Sequence, residues 1–75
     1  MKENELKNLG YIIKYDVYGY DIHFNDESVR GFRTIHIAGL TEMPMFGAFE
    51  IVERHKNYAL AFAEQHYINS QTEAG

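Results

Sequence analysis

His23 and His36, with Asp21 beside them, are the residues of this chain best suited to chemistry. Two imidazoles and a carboxylate are a usual donor set for a divalent cation, and imidazole titrates near neutral pH. If Ile22, Phe24, Ile35 and Ile37 face a core, strand alternation sends His23 and His36 to the opposite side with Asp21, Thr34 and Phe32. Pairing Ile22 with Ile35 then sets Asp21 against His36 and His23 against Thr34. The spacing matches no metal motif, and a solvated polar sheet face accounts for the same residues. His55 and His66 stand eleven positions apart on one helical pattern, about 16 Å at 1.5 Å per residue. They cannot share an ion, so each is expected as a partly buried ring held by a hydrogen bond.

Catalytic signatures are missing. There is no HExxH, no GxSxG, no glycine-rich phosphate loop and no EF-hand ligand series. Ser28, Ser70 and the threonines have no base at a signature spacing, and Asp16 and Asp21 lie among lysine and tyrosine as on a solvated sheet face. The expectation is a non-enzymatic protein with no catalytic residues, no cofactor and no metal site.

A chain of 75 residues without cysteine has room for one domain and no disulfide or thiolate staple, which leaves a thin margin of stability. Self-association is the remaining route to a larger core, so a homodimer is expected. Eleven acidic against seven basic residues give a net charge of −4, which disfavours a binder of phosphate backbones. The opening Met1-Lys2-Glu3-Asn4-Glu5 has no apolar core of a signal peptide, and no apolar run reaches membrane-spanning length. A cytoplasmic protein without membrane contact is expected.

Those residues must be carried by a small set of elements. Glu3–Leu9 suits a short helix ended by Gly10. From Tyr11 the pattern turns β-branched and aromatic, and Tyr20-Asp21-Ile22-His23-Phe24 alternates at period two. Asn25-Asp26-Glu27-Ser28 favours a turn, and a third strand is expected from about Phe32 to Ala38. Gly39–Gly47 is then a crossover loop, with Thr41 as a possible helix N-cap and Met43, Met45 and Phe46 expected to close one end of the core. The fold class is therefore α+β: a small antiparallel meander of two to three strands on a long C-terminal helix, with a short N-terminal helix, as one domain over 1–75.

The long helix is expected near Ala48–Asn69, with Ala48, Ile51, Val52, His55, Tyr58, Ala59, Phe62 and His66 on the sheet-facing arc. Phe49, Leu60 and Tyr67 widen the apolar arc to roughly 200°, about twice what one packed face needs. Two covers are possible: the N-terminal helix through Leu6 and Leu9, or a dimer or partner seam. The expected interaction surface is therefore Tyr18, His23, Phe32 and His36 on the sheet, with Phe49, Leu60 and Tyr67 on the helix.

The order helix, three strands, helix resembles the double-stranded RNA-binding fold in topology alone. Where that fold needs lysines at the start of its second helix, this chain has Thr41-Glu42-Met43-Pro44, followed by Glu50 and Glu53. The functional expectation is an interaction or regulatory module acting through protein contacts, of the kind found among accessory and inhibitory factors of phages and mobile elements. The alternatives are a nucleic-acid-binding module using Arg30, Arg33 and the sheet aromatics, and a small metal-binding protein on Asp21, His23 and His36.

Overall fold

Gly10 and Gly19 set the first two corners of the chain. In the computed structural model, which describes residues 2–26 and 29–74 and side chains as far as residue 71, α1 spans Glu3–Asn8. Gly10, at φ 100°, lets the Gly10 amide bond the Lys7 carbonyl and the Tyr11 amide bond the Leu6 carbonyl at 3.0 Å. This is the paired closure that a left-handed residue after a helix permits. It also brings the side chains of Leu6 and Tyr11 into one cluster, so the end of the helix opens the core.

Strand β1 runs Ile12–Asp16 and β2 runs Gly19–Asp26, joined at Val17 and Tyr18, where the Tyr18 amide donates to the Asp16 carboxylate at 2.8 Å. Strand β3, Gly31–Ala38, completes an antiparallel sheet in the order β1-β2-β3. Ile22 pairs with Ile35, Asp21 with His36 and His23 with Thr34, the register that the alternation of isoleucines implies. β1 begins at Ile12, one residue after the pattern opens, β3 begins at Gly31, one residue before Phe32, and β2 continues through Asp26, past the start of the expected turn. Glu27 and Ser28, part of that expected turn, lie outside the described residues.

Helix α2, Ala48–Ala74, has 27 residues, about 40 Å at 1.5 Å each. It is longer than the periodicity implied, and it packs on β1 and β2. Thr41 does not cap it: the helix starts after Gly47, at φ 78°, whose carbonyl receives the Ile51 amide. Its buried centre is Ala59 and Ala63, flanked by Leu60, Tyr67 and His66. The expected arc was centred roughly 60° too far round, and Phe62 (40% exposed) and Tyr58 (55%) stand at its margin rather than in the core. The physical reason is size, since two alanines let the helix axis approach the sheet where a phenylalanine would hold it off. Met43, Met45 and Phe46 do not close the core either; Met45 is 91% exposed.

Tyr11 joins the ends of the fold. Its ring lies 5.7 Å from Phe24, and its hydroxyl is 2.7 Å from Nδ1 of His66, across 55 positions of sequence. Burial, and secondarily the neighbouring Tyr67, raise the Tyr11 pKa above its ordinary 10.0. A phenol whose folded pKa exceeds its unfolded one contributes stability that is complete below about pH 10 and is lost as pH rises through the folded value. Urea midpoints should therefore fall between neutral pH and about pH 11, and Tyr11→Phe should flatten that alkaline slope. An unchanged slope in the variant would place the alkaline loss elsewhere.

Candidate functional site

The sheet has two unlike faces. On the inner one, facing α2, stand Ile13, Tyr20, Ile22, Phe24 and Ile35. Among the described residues the outer one carries no helix, and register aligns its residues in rows: Ile12, His23 and Thr34; Lys14, Asp21 and His36; Asn25 and Phe32. Phe32 is 76% exposed, and at the hairpin tip Tyr18 lines a hollow with Lys14, Asp21 and His36 of this face and Tyr15 and Tyr20 of the other.

Each outer histidine is oriented by a cross-strand neighbour. His23 Nδ1 is 2.8 Å from the Thr34 hydroxyl, and His36 Nδ1 bonds an Asp21 carboxylate oxygen. A carboxylate only accepts, so Nδ1 of His36 carries the proton. In the neutral ring this leaves the Nε2 lone pair turned away from Asp21, an acceptor for a donor brought by another molecule. Among the described residues no three histidine, aspartate or glutamate side chains converge as a cation cage.

The other two histidines serve the fold. His66 lies 4.2 Å, ring to ring, from Phe24 and bonds Tyr11, while His55 Nδ1 donates to the Asp16 carbonyl at 2.6 Å. Both rings are half-buried and hydrogen-bonded, as their helical placement implies.

Of the expected interaction residues, the sheet brings His23, Phe32 and His36 to one face, with Tyr18 in the turn at its end. It does not gather the helical ones with them. Leu60 and Tyr67 pack, half-buried, against the cluster that contains Leu6, so the chain's own α1 covers part of that flank. Phe49 is exposed at the start of α2, away from that pair. Arg33 pairs with Phe24 in register and bonds Asp26 at 3.4 Å, which puts it on the opposite face from Phe32. Arg30, at φ 53°, sits in the preceding turn. Arg33 thus does not share a stacking surface with the outer aromatics. Sequence reasoning missed Ile12, which extends the outer apolar surface; its place opposite His23 was the available signal.

Set against protein-family models, curated proteins and solved structures, the chain matches none. Among the described residues no helix is long and apolar enough to cross a membrane.

Proposed function

We propose that this domain is a non-enzymatic interaction module that binds a protein partner through the outer face of its sheet, in the cytoplasm. The observation that carries this reading is Phe32, standing three-quarters exposed on the same sheet face as two histidines that are already fixed by Thr34 and Asp21. An aromatic ring with little conformational freedom, next to oriented polar groups, is the composition of a binding hot spot. The partner's complementary feature is an apolar socket for Phe32 with a hydrogen-bond donor within reach of His36 Nε2. A regulatory or inhibitory role by occlusion of that partner's surface follows from such binding.

The test is capture from the native cell with wild type and with Phe32→Ala/His36→Ala. The variant should keep its thermal midpoint, because neither side chain belongs to the core, and should lose at least about 2 kcal/mol of affinity, or roughly thirtyfold, for a partner the wild type retains. Equal recovery by both proteins would refute the outer face as the contact. Binding that falls steeply with salt and follows added RNA or DNA would favour the nucleic-acid alternative instead.

A further inference from the structure

The two edges of the sheet are unequal. β1 is five residues long and has α1 against it, whereas β3 is eight residues long and has β2 as its one strand neighbour. The Gly39 amide bonds the Tyr18 carbonyl, and in an antiparallel ladder backbone groups alternate in direction. With that bond and the register, Gly31, Arg33, Ile35 and Ile37 direct their N–H and C=O groups to β2. Phe32, Thr34, His36 and Ala38 direct theirs to the open edge. No proline interrupts this edge, and its one fixed charge, Arg33, is engaged by Asp26. The usual devices that blunt an edge strand are largely missing.

The surface beneath that edge is also uncovered. His66 meets Phe24 and His55 approaches Tyr20 at 6.2 Å, both on β2, so the next residues round the helix, Ile51, Tyr58 and Phe62, continue toward the β3 side. Opposite them on the inner face are Ile35 and Ile37, the latter 40% exposed. An apolar cleft thus runs along β3 with no element of this chain in it among the described residues.

Area identifies what fits. The chain exposes 5644 Å² at a mass of 8.7 kDa, against about 4,700 Å² for a compact monomer of that mass. The excess of roughly 900 Å² is what one partner contributes to an interface of standard size.

We propose that a second copy of this chain pairs antiparallel with β3 about a two-fold axis. The pairing makes a six-stranded sheet and closes the cleft between β3 and the Tyr58–Phe62 flank of α2. The outward-directed set, Phe32 to Ala38, is centred on Ile35, so an axis at Ile35 engages all four of its members on both copies. It places Ile35 next to its own copy on the inner face, an isologous contact that ends at two chains and does not propagate along an edge. The outer face stays open in this arrangement, so self-pairing and the proposed partner contact stand or fall separately.

Sedimentation of the full chain over a micromolar concentration series, with amide hydrogen exchange read residue by residue, tests this. The expected result is a dimer whose Thr34 and His36 amides exchange at least about tenfold more slowly as dimer forms, while the Ile35 and Ile37 amides are protected at every concentration. Thr34→Pro should abolish dimerisation, because it removes an amide that β2 does not use. If that variant does not fold, Ile37→Lys, at a position already part-exposed in the monomer, should shift the dimer to monomer. A wild type that is monomeric at high micromolar concentration overturns the proposal. A dimer in which the Thr34 and His36 amides gain no protection overturns it equally, since the copies would then meet elsewhere.

Discussion

Replacing Phe24 by alanine is expected to remove about 3–5 kcal/mol of stability, the range for deleting a buried aromatic ring. Phe24 is 2% exposed and touches both Tyr11 and His66. The cavity would open where the first strand region, the middle strand and the helix meet, and the Tyr11–His66 hydrogen bond would lose the wall that shields it from water. A domain of this size holds only roughly 4–11 kcal/mol in total, so the variant should lose much of its cooperative unfolding at room temperature. Phe62→Ala is the matched control. Phe62 is 40% exposed, and its loss from the monomer should cost about 1 kcal/mol, the ordinary scale for a site outside the core. Urea titration of both variants at low concentration checks the ordering; equal losses would mean that the packed side of α2 is not the one centred on Ala59 and Ala63.

Gly19→Ala should be nearly as damaging, by a different route. Gly19 has φ 148°, and a Cβ placed on it would lie 2.1 Å from the Ile37 carbonyl oxygen and 3.0 Å from the Gly39 amide nitrogen. Both obstacles are backbone atoms, one of them in the ladder itself, so no rotamer change relieves the clash. Backbone strain and overpacking each cost about 1–3 kcal/mol, giving an expected loss of about 3 kcal/mol or more. Gly10→Ala separates the contributions, because Gly10 also has a positive φ, 100°, but nothing within 4 Å of the added carbon. It should lose only about 1 kcal/mol, from the backbone conformation alone. Similar losses at both glycines would show that the close approach of Gly19 to β3 is not tight.

The sheet was legible because its signal is binary. Alternation at Tyr20–Phe24 and at Arg33–Ile37 has two possible phases, and the isoleucines Ile22 and Ile35 choose one, which then assigns Asp21, His23, Thr34 and His36 to the other face with their cross-strand partners. The helix was harder to read. An apolar arc built from large residues gives Tyr58 and Phe62 more weight than Ala59 and Ala63, yet it is the alanines that touch the sheet. Likewise the surplus of apolar groups at Leu60 and Tyr67 did announce a second contact, but sequence does not say that a helix as short as α1 supplies it. The candidate surface divided in the same way: its sheet residues came together, whereas Leu60 and Tyr67 pack against the chain's own core and Phe49 stands exposed apart from them. The Leu40–Phe46 segment carried no period at all, and its methionines proved to be exposed.

The Tyr11–His66 bond has a kinetic meaning. The three strands are joined in sequence by short turns and zip through local contacts, each closing a small loop. Docking the helix instead joins residues 55 positions apart, and loop entropy rises by about 0.6 kcal/mol per doubling, roughly 2 kcal/mol more than for a hairpin. Loop entropy therefore favours pairing of the strands before the helix swings back over their inner face.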